Sequence, residues 1–586
     1  MDLKSLRGIC ALCLVLAVAG CGQESNLPIN VSISPQDTAI GTGQSIQFTA
    51  TTNNTKGVTW SATSGTIDSN GNFIAPAGPQ SATVTVTAKS KKEPTKTASA
   101  TVNVVAPGQV SATANVQVAL YSISPAAAGN VSVQFGTDTN YGLTTWTQPV
   151  PQGGGAVSLF VAGMKANTLY HIRGVVTFGD GSQFMDADQT FTTGANPAAQ
   201  LPAITATTTT GMTPQGGVEL LDLVVGSTPA SQIAVTDLGG NVLWIYNSGL
   251  TGGVIPNPIK LLPNGHFLIN YSTAVPDGGN SVLREVDLTG ATIWELTAAQ
   301  LNTELAAATC AGCNVTVIGT HHDFVQLPNG HLIVIASTQE TISGVVVTGD
   351  VVIDLDQNHQ PVWLWNAFDP SNLDPNHLDT NRRPYLFPDW MHTNAILYSA
   401  DDGNLIVCIR HQNWLIKIDY ANGTGTGNII WRLGYQGDFT LAGGTDPTDW
   451  FWAQHGPSFV SSNTTGQFSM ILFDNGNDRD SLICGSTGAP VCHSTVPLLQ
   501  LDETAKTATL GFHPNAQAYS SFGGNAAVLK NGNVEYCESA GGPGLAGDIY
   551  EVTQDSSAQV VWQMQVTNQY AYRGQRIPSF YPGVQW

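Results

Sequence analysis

Charge is scarce in this 586-residue sequence. Only 11% of residues are Asp, Glu, Lys or Arg, and the 21 Lys plus Arg face 42 Asp plus Glu, for a formal net charge of −21. A chain so poor in cations cannot neutralise a phosphate backbone, which argues against a nucleic-acid partner. Disorder is equally disfavoured, because apolar residues reach 42%. After the N-terminal stretch, no apolar run is long enough to span a bilayer. No second CxxC and no HxxxH accompanies Cys310-Ala-Gly-Cys313, so zinc is not expected, and a thioredoxin-like redox motif would need a βαβ context that is missing. What is abundant is Gly (62), Pro (31) and β-branched residues. That is an all-β composition, with strands built from Val, Ile and Thr and turns from Gly, Asn and Asp. The length predicts about three to four folded units.

The first residues read as a targeting segment. Lys4 and Arg7 supply the positive region and Ile9 to Ala19 the apolar stretch, ending in Val18-Ala19-Gly20-Cys21. This resembles the lipobox of bacterial lipoproteins, which implies a signal peptide over 1–20 and acylation of Cys21. The expected location is therefore the cell envelope, lipid-anchored at the periplasmic face of the outer membrane or at the cell surface. In that oxidising compartment disulfides are permitted. Cys484 and Cys492, flanking a Gly/Pro loop, are the expected local pair, and Cys310 with Cys313 would form a tight one.

After a linker over 21–28, residues 29–106 alternate as short strands between turns, for example Gln44-Ser-Ile-Gln-Phe48 and Ala82-Thr-Val-Thr-Val86. The pattern is a β-sandwich. Trp60 is its expected core tryptophan, and the hairpin Gly65–Ala75 resembles bacterial Ig-like domains. Residues 107–195 read as a second sandwich, with strands Asn130–Gly136 and Leu169–Val176. Leu169-Tyr170 resembles the tyrosine corner of fibronectin type III domains. A linker follows.

From 203 to 586 the sequence repeats. One half of the unit is a hairpin turn: Leu262-Pro-Asn-Gly265, Leu327-Pro-Asn-Gly330, Asp401-Asp-Gly403 and Leu529-Lys-Asn-Gly532. Asn-Gly and Asp-Gly supply the positive φ such turns need. The other half is a strand ending at Trp244, Trp294, Trp363, Trp431 or Trp562, and a degenerate sixth copy lies at Leu499–Phe512. Six copies of a four-stranded unit predict a six-bladed β-propeller, each blade covering its neighbour's apolar face. The tail Tyr572–Phe580 is expected to give the first blade its missing strand.

At the start of successive innermost strands stand Thr320-His-His-Asp-Phe324, Trp390-Met-His-Thr-Asn394 and Gln454-His-Gly-Pro457. These side chains are expected to converge at one mouth of the channel, with i and i+2 on one face. Arg410 should lie at the same end, since the two arms of its hairpin are equally long. The set His-His-Asp-Phe, Asp389–Asn394, Ile409-Arg-His411 and Gln454-His-Gly456 is similar to bacterial arylsulfate sulfotransferases. The resemblance implies transfer of a sulfuryl group from a phenolic sulfate ester to an acceptor phenol, without a nucleotide sulfate donor, metal or other cofactor. It makes His455 the nucleophile of a ping-pong reaction through sulfohistidine. Arg410 and Asn394 would bind the sulfate. His392 and one of His321 and His322 would exchange protons with the phenols. Aromatic walls could come from Trp390, Trp414, Trp450, Phe451 and Trp452. Two other readings stand beside this one: an aryl sulfate hydrolase, and a non-catalytic binding or adhesion lipoprotein. The oligomeric state is left open.

Overall fold

The computed structural model describes residues 28–198, 201–225, 232–250, 253–273, 281–369, 372, 389–463, 465–477, 479, 492–539, 546–567 and 569–586. The targeting segment with Cys21 lies outside them. Among the described residues nearly every element is a strand, with one α-helix of more than a single turn at Ala298–Ala307, begun by a Thr297/Gln300 capping box. No described helix is long and apolar enough to cross a membrane. The chain divides into two compact units, one reaching to residue 106 and including 180–183, the other holding 107–179 and 184–586.

In the first unit, the sheet carrying Ala82–Ser90 and Thr97–Val105 shares a core with a smaller one formed by Ser45–Gln47, Thr66–Ile67 and Asn72–Ile74. The core centres on Phe48 and Phe73, both 0% exposed. Trp60 sits at its edge rather than its centre, half-buried and tilted against Phe48.

The second unit opens with two sheets, one around Ala119–Ile123 and one around Gly129–Gly136 and Leu169–Phe178. The Tyr170 hydroxyl accepts a hydrogen bond from the Lys165 N–H at 3.0 Å, a local tie from a strand start back to its loop. Six further sheets follow, antiparallel except where Thr440–Ala442 pairs parallel with Thr507–Leu510. Four successive ones start at Val254–Leu261, Val317–Gln326, Thr393–Ser399 and His455–Phe459, and a fifth at Asn525–Val528. The sixth joins Val218–Val225, Ile233–Thr236 and Val242–Tyr246 to the last strand of the chain, Gln569–Ile577, which pairs antiparallel with Val218–Val225. An unforeseen strand, Ala203–Thr208, adds itself to the outer edge of Val560–Thr567.

Each sheet is apolar on both faces, and each pair of neighbours encloses one cluster. Ile333, Val352 and Trp365 meet Ile396 and Val407 of the next sheet. Cys408 and Trp431 meet Phe468 and Met470. Ile471 and Phe473 meet Val534 and Tyr550. Finally Ile549 and Trp562 meet Leu221 and Ala234, which belong to the sheet holding Val218–Val225 and the last strand. The repeated tryptophans also bridge neighbouring sheets through their indole N–H groups. Trp244 Nε1 donates to Leu288 O and Trp562 Nε1 to Leu238 O, each at 2.8 Å and each on the following sheet.

The C-terminal residues tie these sheets to the second sandwich. Trp586 Nε1 donates to Thr144 O at 2.9 Å, and its ring packs edge-on against Phe135. The Tyr581 hydroxyl donates to Phe160 O at 2.9 Å and accepts from the Ala162 N–H at 2.8 Å. The second sandwich is thereby packed into the body that carries the site.

Candidate active site

A break in strand regularity recurs where the candidate histidines stand. Register shifts fall between Thr320 and Phe324, between Thr393 and Ala395, and between His455 and Ser458. Positive φ accompanies them at His322 (57°), His392 (52°) and Gly456 (48°). A bulge adds a residue to one strand and re-aims the side chains beside it. The expectation that residues i and i+2 share a face therefore fails locally, while the expected convergence occurs.

His455 is 2% exposed. Its Nδ1 lies 2.6 Å from Asn475 Oδ1 and 3.1 Å from Ala453 O. Both are acceptors, so Nδ1 carries the hydrogen and Nε2 the lone pair. The Gly523 N–H approaches Nε2 at 3.3 Å. Burial, then the charge of Arg410, holds this imidazole well below its ordinary range, so it is neutral at pH 7.

The two adjacent histidines occupy successive layers. His322 has its ring 4.8 Å from that of His392 and 6.1 Å from that of Tyr572, which is also 6.1 Å from His455. Its Nδ1 meets His321 Nδ1 at 2.8 Å, and His321 Nε2 meets Asp350 Oδ1 at 3.1 Å. His321, which the repeat alignment favours for the site, thus stands behind His322, between it and a carboxylate. Burial, with His392 and His321 adding, lowers the His322 pKa. Asp350 is held below the usual carboxylate range: burial pushes it up, but His321 and the hydrogen bond from Thr393 N outweigh that.

His392 Nδ1 bonds Asp389 Oδ2 at 2.7 Å, and its ring lies 4.6 Å from that of His411. Arg410 donates through Nη1 to His411 Nε2 at 2.9 Å and through Nη2 to Ser521 O at 3.1 Å. Asn394 is fully buried and donates from Nδ2 to Gln454 O at 2.7 Å. Its Oδ1 is buried without a partner. Arg573 ties the layer together from the last strand, donating to Asn394 O at 2.7 Å.

Asp389, His392 and His411 have ligand atoms within 4.8 Å of one another. Their hydrogen bonds do not suit a metal. His411 accepts from Arg410, so its Nδ1 carries a hydrogen and donates to Asp389 O at 2.7 Å, and a cation there would meet the guanidinium.

His455, His322, His392, Arg410 and Asn394 are thus gathered in one layer. Of the aromatics considered as walls, Trp390 belongs to the cluster of Trp365 and Ile409, Trp450 and Phe451 to that of Trp431 and Met470, Trp452 lies against Tyr435, and Trp414 Nε1 donates to Tyr435 O at 2.8 Å. Among aromatic rings, the one between His322 and His455 is Tyr572. Its hydroxyl is buried without a partner, and burial raises its pKa. Sequence reasoning missed Asn475, Gly523 and Arg573. Asn475 was within reach of a register argument, since Phe473 pairs with His455 and Asn475 follows two residues later. Cys310 and Cys313 form a disulfide. Cys492 is disulfide-bonded, and Cys484 lies outside the described residues.

A shielded neutral imidazole among arginine, amide and paired histidines is the equipment of a group-transfer enzyme. The chain belongs to the arylsulfotransferase family (ASST), whose model it matches over residues 207–573, and it is a sulfotransferase. Membership implies an aryl sulfate donor and a phenol acceptor. No curated protein matches the chain. Solved structures that match include the D1-D4 ectodomain fragment of ICAM-5, at 10% identity over 56% of this chain and 100% of that one, with a TM-score of 0.17. The N-terminal eight Ig domains of Down Syndrome Cell Adhesion Molecule match at 11% identity over 55% of this chain and 54% of that one, with a TM-score of 0.11. At such scores neither likeness bears on the fold.

Proposed function

We propose that the chain is a six-bladed β-propeller sulfotransferase that moves a sulfuryl group from a phenolic sulfate ester to an acceptor phenol through sulfohistidine. The cyclic order of the six sheets supports the propeller. The observation that carries the chemistry is the neutral His455, its Nδ1–H held by Asn475 and Ala453. His455 Nε2 attacks sulfur as the S–O bond to the phenol breaks; the acceptor oxygen then takes the group and the electron pair returns to Nε2. Arg410 and Asn394 hold the sulfuryl oxygens. His322, backed by His321 and Asp350, and His392, backed by Asp389, protonate the leaving phenolate and accept the proton of the incoming phenol.

Residues 1–20 would be removed as a signal peptide and Cys21 acylated, anchoring the enzyme at the cell envelope by its N-terminus. Residues 29–106 would then act as an Ig-like spacer, residues 107–195 as a fibronectin type III-like sandwich, and residues 203–586 as the catalytic domain. The test is intact-mass analysis after brief exposure to 4-nitrophenyl sulfate. The wild-type chain should gain one sulfuryl group (~80 Da) that added phenol discharges, and His455→Ala should gain none. Nitrophenol release that ignores phenol would make the enzyme a hydrolase.

A further inference from the structure

Asn475 has no freedom to present its amide the other way round. Its Nδ2 donates to Ser520 O at 2.8 Å and to Gly523 O at 3.1 Å, so both amide hydrogens are engaged by carbonyls. Oδ1 therefore faces His455 Nδ1 by necessity. The same carbonyl contacts fix the segment Ser520–Gly524, which aims the Gly523 N–H at His455 Nε2. Asn477 and Arg410 hold the segment from its other side through Ser521 O, at 2.8 and 3.1 Å. Gly523 itself has φ +63°, and an added Cβ would lie 2.2 Å from Ser539 Oγ. A glycine is required for the chain to pass there.

We infer that Asn475 is a positioning residue acting in two linked ways. It fixes His455 as the Nδ1–H tautomer with the lone pair on Nε2, and it sets the Gly523 N–H where a sulfuryl oxygen on Nε2 arrives. This rests on the sulfohistidine reading. During transfer the N–S bond forms at Nε2 while the donor S–O bond breaks, and the Nδ1 proton never leaves. The sulfurylated ring then carries positive charge opposite a neutral amide. A carboxylate at the same place would stabilise that cation, and a stabilised ring is a poorer leaving group in the second half-reaction. An uncharged partner keeps the intermediate labile. The other groups whose charge or ring bears on His455 are Arg410, Arg573, His392, His322 and Tyr572, none of them an anion at neutral pH. Asp in place of Asn475 would bring the first anion into contact with this ring.

The full-length chain carrying Asn475→Asp, which keeps an oxygen on His455 Nδ1 but gives up the donations to Ser520 O and Gly523 O, is compared with wild type. The acid limb of the nitrophenol burst should move up by about one pH unit or more. Discharge of the adduct by phenol should slow about tenfold or more, with the KM for donor little changed. Asn475→Ala should lower the burst rate about ten- to a hundredfold and move the acid limb to lower pH, because the hydrogen bond it removes supports the charged ring. A structural role alone would lower the active fraction in both variants and leave limb and discharge rate as in wild type; that result overturns the inference. The tautomer is read independently on wild type by histidine-selective nitrogen NMR, with His455→Ala for assignment. A hydrogen on Nε2 overturns the positioning role whether or not an adduct forms. Absence of an adduct on wild type overturns the sulfohistidine reading and with it the role in discharge.

Discussion

The closing strand Gln569–Ile577 carries one guanidinium into a nest of three buried carboxylates. Arg576 Nε is 2.9 Å from Glu219, and its two terminal nitrogens are each 3.2 Å from Glu535 and Glu551. Burial raises the Glu219 pKa, and the neighbouring Glu535 raises it further, against the pull of Arg576. Glu535 is raised by burial as well. A carboxyl whose pKa is higher folded than unfolded contributes stability in full below the unfolded pKa. That contribution drains away as pH rises through the folded value. Each unit of elevation costs about 1.4 kcal/mol at pH above it. Glu219→Gln keeps the shape and removes the proton. It should therefore stabilise the closure by about 1–2 kcal/mol at pH 8, with the gain shrinking toward pH 5. Arg576→Met, which leaves the carboxylates uncompensated, should cost about 3–5 kcal/mol and more as pH rises. Hydrogen exchange of the peptide spanning 569–577, followed in mild urea at several pH values, reads this opening without assuming a single transition. An equal effect of Glu219→Gln at pH 5 and pH 8 would refute the reasoning.

Three further expectations concern the site and its supports. Because burial and Arg410 keep His455 neutral, the burst of nitrophenol release should persist below pH 6.5, where free imidazole is mostly protonated; an acid limb at or above that pH contradicts the placement of the ring. Arg410→Lys keeps the charge but loses the fixed fork spanning His411 and Ser521, so kcat/KM for the donor should fall by about 2 kcal/mol or more in transition-state terms. Trp586→Ala removes a ring packed on Phe135, Phe580 and Tyr581 and should cost about 3 kcal/mol; limited proteolysis should then cut between the second sandwich and the sheets that follow.

What could be read from the sequence was whatever repeats. Gly265, Gly330, Gly403 and Gly532 all adopt the positive φ that the Asn-Gly and Asp-Gly turns required. Trp244, Trp431 and Trp562 are fully buried at sheet interfaces, because each must both fill the gap and donate to the next sheet. Histidines at matching places in several repeats had to meet. What did not repeat was hidden. The bulges at 320–324 and 393–395 have no sequence signature, since the positive φ falls on histidine rather than glycine, and so His322 rather than His321 faces the other rings. Tyr572 and Arg573 enter from the far end of the chain, and only pairing with Val218–Val225 brings them in. Trp60, the expected core tryptophan, is only half-buried, while Phe48 and Phe73 fill the interior.

The last strand has a consequence in time as well as in space. Val218–Val225 pairs with a strand far along the chain: Glu219 and Arg576, which face each other across it, are 357 residues apart. A pairing so distant along the chain is slow to form, because the intervening loop must be closed before any contact rewards it. Until then the edge of the first sheet is bare, Tyr572 and Arg573 are missing from the site, and Trp586 has not reached the second sandwich. The order of the site thus waits on the same pairing that covers the sheet edge, so assembly of the fold and assembly of the site are one event.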